Sequence, residues 1–354
     1  MRQPIPLLVT GAAAEPLAST ASPLQDLGTT YSMAQEVRWV DANYFAIGRW
    51  DGSLTIFTNP SPPGPPSISA AIVTPSLSGV QMIARIAPNL FGSSNDGQSI
   101  TLWGTDGTFS ENGITVRATL SYDPSIGVAN DGTTTECDGV TYFVTGHANG
   151  SILIWQVQPD GSLTLLKTMD LRSPNPIPSP YPLKNIRGVE AWQPGIVVTG
   201  SEDGDLCLVD VVNTTVLARM RYNPSAQRGI NDIDVCGDYL VVANCSVGPD
   251  DRNLWLYAIE DLAFMALDSV NLKVNPALDQ VFDFCVDQAV VDDNHYFFAT
   301  TQEGVVWVGT AQDGKLNPIA TQAVSTNYGA ALSYQPDSRI LAVAGDNLHL
   351  FGLQ

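Results

Sequence analysis

The residues of this 354-residue chain able to move protons, hold a metal or attack a carbon are three histidines, five cysteines and thirty-six carboxylic acids. His147, His295 and His349 stand far apart in sequence, each in or beside a strand-like run. A metal site needs three or four donors that converge, and nothing in this spacing supplies them, so no metal and no cofactor is expected. The cysteines (Cys137, Cys207, Cys236, Cys245 and Cys285) are odd in number, widely spaced and form no C-x-x-C pair. That pattern argues for small core residues in a reducing compartment, cytoplasm or nucleus, and against a zinc ribbon or redox pair. There is no G-x-S-x-G elbow, phosphate-binding loop, dinucleotide fingerprint or H-E-x-x-H pair. No catalytic residue is assigned.

The acids are twenty-eight Asp and eight Glu, and eight of the Asp precede Gly. Asp-Gly suits a tight turn, because Gly accepts positive φ and the Asp side chain bonds its own backbone, so these pairs are read as turns. Asp250-Asp251 and Asp292-Asp293 offer paired carboxylates of the kind calcium takes, but neither matches an EF-hand loop. The remaining chemistry is recognition. Arg49-Trp50 falls in a very short turn, where an indole has little core to enter and can either face solvent or lie on a neighbouring element. Trp and Arg are also the types most enriched at binding hot spots. Two proline-rich runs, NPSPPGPP (59–66) and SPNPIPSPYP (173–182), suit polyproline II, as stiff connections or as ligands for small peptide-binding domains.

The turns belong to a repeat. A β-rich run ends in small residues, passes a tight turn and continues to an aromatic. Copies are YFAIGRWDGSLTIF (44–57), SSNDGQSITLW (93–103), YFVTGHANGSILIW (142–155), IVVTGSEDGDLCLVD (196–210), YLVVANCSVGPDDRNLWLY (239–257), FFATTQEGVVWVG (297–309) and LAVAGDNLHLF (341–351). Their turns, near Asp51, Asp96, Asn149, Asp203, Asp251, Glu303 and Asp346, recur every 43 to 54 residues. Each unit has an inner run before it, such as EVRWV (36–40) or DIDVC (232–236), and an outer run after it, such as SLTLLKTM (162–169). A four-stranded sheet cannot bury both faces alone, but radial packing of such sheets can.

The expected fold is therefore all-β: a seven-bladed β-propeller of four-stranded antiparallel blades, as one domain over 1–354. Blades are placed at 36–74, 80–122, 126–171, 185–222, 229–272, 280–324 and 328–354. The last copy lacks a fourth strand, so the N-terminal strand joins the last blade and closes the ring. Residues 1–30 are read as that strand and its lead-in, supplied by IPLLVTG (5–11) or LASTAS (17–22), and not as a leader. Asp232, Asp234 and Asp283 fall on inner runs, where they can face the axis or bond backbone amides.

These residues resemble the WD-repeat (tryptophan-aspartate) β-propeller family. In VTGSEDGDLCLVD (198–210), Thr199, Asp203 and Val209-Asp210 match the strand, turn and strand-end positions of the family pattern. Trp155 and Trp103 occupy the tryptophan position, and Phe57, Tyr257 and Phe351 replace it elsewhere. The family's Gly-His pair is missing before the inner strands, so the chain looks like a degenerate member. The resemblance implies a non-catalytic scaffold that binds a peptide or domain on the face carrying the Asp-Gly turns. It places Arg49, Trp50, Asn95, His147, Glu202 and Gln302 there from turns, and Tyr181, Arg187, Arg228 and Tyr328 from connecting loops.

Sixteen basic residues against thirty-six acidic ones give a net charge of −20, which repels phosphate backbones and points to a partner with a basic segment. No apolar run is long enough to span a bilayer. Four Lys against twelve Arg suit a component of a larger complex. The alternative is a hydrolase or lactonase-like propeller with acids or metal in its channel.

Overall fold

In the computed structural model the described residues are 24–31, 34–58, 67–73, 79–95, 99–107, 109–110, 112–177, 184–245, 251–278, 281, 283–324 and 329–354. Of these, 28–31, 67–73, 95, 283–284 and 329–330 are described by backbone alone. They form seven four-stranded antiparallel sheets. The single helical piece among them is a 3-10 turn, Pro124–Ile126. Blades 1 to 6 span 34–73, 83–121, 129–170, 186–221, 230–270 and 283–323. Blade 7 combines Gly329–Gln335, Ile340–Gly345 and Asn347–Leu353 with Leu24–Tyr31.

Position in the blade explains the residue pattern of each strand. The middle strands are covered on both faces by neighbouring blades, so they read as unbroken apolar runs: every residue of Ile340–Gly345 is buried. Inner strands alternate, as in Ala34–Trp39, because one face looks down the axis. Outer strands such as Leu163–Asp170 are mostly exposed and lie at the rim. Seven hydrophobic clusters each join two adjacent blades. One of them packs Val37 and Phe45 of blade 1 against Ala342 and Leu348 of blade 7 and so closes the ring.

The closing strand is Leu24–Tyr31, paired with Asn347–Leu353. This differs from the expectation: the runs at 5–11 and 17–22 lie outside the described residues, and the strand comes from sequence immediately before blade 1. Every other outer strand leads directly into the next inner strand, and Leu24–Tyr31 obeys the same connection with two residues between it and Ala34.

The Asp-Gly reading holds where a turn exists. Gly52, Gly107, Gly139, Gly161, Gly204 and Gly314 all take positive φ. At Asp51 and Asp160 the carboxylate accepts a bond from the backbone N–H two residues on, at 2.9 Å in both cases. Asp131-Gly132 is an exception, because it lies inside the inner strand Ala129–Cys137. There a Cβ on Gly132 would come within 3.2 Å of Met82, Phe143 and the Val144 carbonyl, so any larger residue would have to push these neighbours aside.

Candidate functional site

The seven inner strands surround an axial cavity of about 440 Å³. Its lining follows from strand register. A β-bulge near the start of nearly every inner strand turns one residue toward the mouth on the turn side: Gln35, Asn130, Arg187 and Asn231. The next inward level holds Glu36, Asp131 and Asp232, opposite Gly48, Gly146 and Ala243. Two residues deeper come Arg38, Glu190, Asp234 and Asp287, opposite Ala46, Val198, Val241 and Phe298. Six carboxylates and one arginine thus face each other below the mouth.

Most of the acids tie one blade to the next. Asp131 Oδ2 accepts from Val189 N at 2.6 Å, Asp232 Oδ2 from Val286 N at 2.9 Å and Asp287 Oδ2 from Tyr334 N at 2.7 Å. Ser333 does the same for blade 1, accepting from Trp39 N at 3.4 Å. Asp234 is held by Val235 N–H and the Gln288 side chain, and Glu36 by Val37 N–H. Glu190 breaks the series. Its side chain, 19% exposed in the cavity, accepts no hydrogen bond from any described residue and has Arg38 Nη1 at 4.0 Å as its ion contact.

Burial dominates the electrostatics. It pushes Glu36 up to about 8 and Asp287 to about 6, and holds Asp131, Glu190, Asp232 and Asp234 above the usual carboxylate range. Mutual repulsion adds to this at Glu190 and Asp232, while Arg38 opposes it. Cys285 is also raised by burial and by the neighbouring acids, the reverse of an activated thiol. Among the described residues no group of three His, Cys, Asp or Glu is arranged to hold a metal ion.

The expected face residues divide into three groups. Trp50 and Arg187 both line this cavity, and Trp50 is 54% exposed. Arg49 turns back along its own blade to donate to Thr55 Oγ1. Gln302 and Arg228 are half-buried at the turn-side ends of blades 6 and 5, and the Arg228 carbonyl accepts from Tyr222 Oη at 2.8 Å. Asn95 ends a middle strand of blade 2, with its side chain outside the description, and Tyr181 and Tyr328 lie outside the described residues.

Two expectations are corrected by burial. His147 is fully buried, with Nδ1 3.1 Å from the Gly127 carbonyl and Nε2 2.8 Å from Thr145 Oγ1. A carbonyl can only accept, so Nδ1 carries the proton. Nε2 then accepts from Thr145, whose oxygen accepts in turn from Trp155 Nε1 at 3.3 Å. Glu202, with its side chain 8% exposed, is consumed by Arg187 and Asn185. Both residues hold loops in place and neither offers a surface. Trp103 reaches Ser93 and Trp255 reaches Asn244 by bonds like that of Trp155, each at 2.9 Å.

Asp232 and Asp234 line the cavity, as their inner-strand position suggested, whereas the Asp283 side chain lies outside the description. Glu36, Arg38, Asp131, Glu190 and Asp287 were not singled out from sequence. The available signal was charge at every second position of an inner run, as in Glu36-Val37-Arg38, where the intervening residue is buried. Asp292, a calcium candidate, is engaged by Arg339 through two bonds of 2.8 Å, and Asp250 lies outside the described residues. The proline-rich run 59–66 and residues 178–182 of the second run also lie outside, while Ser173 N bonds Asp203 Oδ2 at 3.0 Å.

No protein-family model matches the sequence, and no curated protein is significantly similar to it. The fold is similar to the β-propeller domain of Cps50 (Swd1) from Myceliophteria thermophila, with a TM-score of 0.68 and 12% identity over 94% of this chain and 100% of that one. In all, 1705 solved chains match, so the architecture is widespread and function has to be argued from the site. No helix among the described residues is long and apolar enough to cross a membrane.

Proposed function

We propose that this propeller is a non-catalytic scaffold, a degenerate relative of the WD-repeat propellers, that receives a peptide or domain of a protein partner on its turn face at the mouth of the axial channel. The observation that carries the reading is Trp50: a large apolar side chain, 54% exposed, at the rim of an acid-lined cavity. Exposed aromatics beside a concave polar site are the usual anchors of an interface. The Trp-to-Ser/Thr bonds of blades 2 and 3 support the family resemblance.

On this reading Trp50 and Arg187 touch the partner. Arg49, Gln302, Arg228, Asn95, Tyr181 and Tyr328 belong to the same face, and His147 and Glu202 support it from below. The net charge of −20 favours a basic segment in the partner and an intracellular complex whose association weakens with salt. The hydrolase alternative gains no support from the cavity: no histidine lines it, and Cys285 is held protonated.

The test is capture of partners from an extract of the source cells by wild type and by Trp50→Ala, at low and moderate salt, with both proteins shown to be folded by thermal melting. A stoichiometric partner that binds wild type and is lost from Trp50→Ala is the expected result. Equal retention would move the site to the opposite face or the rim.

A further inference from the structure

Most of the large apolar side chains left exposed among the described residues lie on the outer strands and outer hairpins of blades 2 to 5, away from the channel. Strand register sorts them by the gap they face, because residues directly opposite on paired strands share a sheet face. Ile154 belongs to the core between blades 3 and 4, so its partner Lys167 faces blade 4. Val209 enters the same core from blade 4, so its partner Val216 faces blade 3. Val212 joins that side: a Cβ on Gly195 would lie 3.1 Å from Val212 Cγ2 and from Cys137 Cβ of blade 3. Leu166 is the extra residue of a bulge. Its counterpart in blade 2, Arg117, lies over Gly104 on the face that Leu102 turns toward blade 3, so Leu166 faces blade 4. Leu166, Val212 and Val216 are 46%, 44% and 39% exposed. The outer gap between blades 3 and 4 is thus an open apolar groove with Lys167 in its wall.

The corresponding gap between blades 5 and 6 is sealed. There the residue after the same bulge is Asp268. Its Oδ2 accepts from Leu316 N of blade 6 at 3.0 Å, and Leu316 and Leu267 join the core between those blades. A lysine has no acceptor and cannot make that bridge. Lys167 is exposed and forms no ion pair with any described residue. The acids on the two flanking outer elements are already engaged, Asp170 by Arg172 and Asp210 by Val212 N–H and Asn213.

We propose that this groove docks an acidic-apolar segment of a protein partner, whose carboxylate takes beside Lys167 the place that Asp268 takes between blades 5 and 6. Apolar neighbours of that carboxylate cover Leu166, Val212 and Val216. The inference goes beyond the scaffold reading, since the groove lies on the rim of blades 3 and 4 and Trp50 belongs to blade 1. Charge decides the class of partner. The strand Thr215–Arg221 holds two arginines and no acid, and the one acid of Leu163–Asp170 is paired. On a molecule of net charge −20 this stretch of rim is the exception, and it attracts an acidic segment that the channel mouth would repel. Three exposed aliphatic side chains around one unpaired cation suit such a segment better than a phosphate backbone, which is held by several cations.

The experiment is selection of a displayed random peptide library on the folded, full-length protein, followed by calorimetric titration of the enriched peptides. They are expected to place Asp or Glu beside Leu, Ile, Val or Phe. Their affinity should fall at least about tenfold in Lys167→Met and in Leu166→Ser, both shown to be folded by thermal melting, and stay unchanged in Trp50→Ala. Lys167→Asp, which restores the arrangement of blade 5, should fill the groove from within and abolish binding without lowering the melting temperature.

No enrichment of acidic-apolar peptides, or enriched peptides that bind Lys167→Met or Lys167→Asp as tightly as wild type, would overturn the proposal. Peptides lost from Trp50→Ala and kept by Lys167→Met would overturn it too, while leaving the scaffold reading standing. A dimer in sedimentation that Lys167→Met dissociates would make the occupant a second copy of this chain and overturn it equally.

Discussion

Arg38 Nη2 lies 3.2 Å from Asp131 Oδ1, although the two residues are 93 positions apart and belong to blades 1 and 3. The bond spans the front of blade 2, which contributes Gln81 at the mouth and no charged group to the cavity lining. Arg38 is thus the cation that makes six facing carboxylates tolerable. Replacing it with Met should destabilise the fold by about 2 kcal/mol, less than the ~3–5 of a dry pair because a third of Arg38 faces the channel. Guanidinium denaturation of Arg38→Met should show this as a lower midpoint, and adding Asp131→Asn should recover part of it. A midpoint unchanged in the single variant would mean that the acids are neutralised by protons alone.

Protons do hold part of that charge, and this sets the pH dependence of stability. The charged and titratable groups facing the cavity are Glu36 and Arg38, Asp131, Arg187 and Glu190, Asp232 and Asp234, Cys245, Cys285 and Asp287. The acids whose folded pKa is raised bind more protons folded than unfolded, so stability falls as pH rises from the ordinary carboxylate range to the folded value. Glu36, at about 8, extends that window past neutrality, and Glu190, Asp232 and Asp234 are held well above their ordinary values too. Each proton retained contributes a slope of about 1.4 kcal/mol per pH unit. Between about pH 6.5 and pH 8.5 ordinary surface acids are already ionised, so among the carboxylates only the channel acids titrate there. The melting temperature should fall across it, and Asp234→Asn should flatten the fall. A flat profile in wild type would show that these acids ionise normally.

His147 gives a slope of the opposite sign. Burial holds its folded pKa near 4, so the stability it contributes is present above the unfolded value of 6.5 and is lost as pH falls toward 4. Protonating Nε2 destroys its ability to accept from Thr145 Oγ1, the middle link from Trp155 to the Gly127 carbonyl. Thr145→Val removes that link at any pH and strands both Trp155 Nε1 and His147 Nε2 in the interior. The expected cost is about 2–4 kcal/mol, since each buried polar group left unpaired costs about 1–3. Chemical denaturation at neutral pH measures it, and a cost well under 1 kcal/mol would show that the chain is not a supporting element.

The architecture was legible because propeller blades punctuate themselves. Asp-Gly and Asn-Gly turns recur at blade spacing, and the doubly covered middle strands, such as Ser151–Val157, carry long apolar runs. The channel was less legible for a physical reason: its residues sit on the weakest and most polar strands, whose alternation looks like ordinary solvent exposure. Asp131 was hidden by its own neighbour, because Asp-Gly signals a turn almost everywhere else in this chain. His147 misled in the opposite direction. Its position beside the turn at Asn149 suggested a surface, and only the fold shows that the ring points inward against Tyr122, with centroids 4.8 Å apart. The closing strand was expected in one of two earlier runs, 5–11 or 17–22, whereas the structure forms it from Leu24–Tyr31, beside blade 1 in sequence.

Ring closure supplies the last prediction. Leu24 begins the closing strand, is 5% exposed, and packs in the cluster that holds Phe351, Leu353 and Phe298 together across blades 6 and 7. Its backbone pairs with Leu353, so its side chain and the strand's register are fixed by one contact. Leu24→Ala should cost about 2–4 kcal/mol, the usual range for a buried leucine cavity. The more telling result lies in where the loss appears. A closed ring unfolds as a unit, so amide exchange in the middle strands of blade 4, on the opposite side, should quicken by nearly the same factor as in blade 7. If exchange quickens in blade 7 alone, the N-terminal strand is a local patch and the other blades draw their stability from their own neighbours.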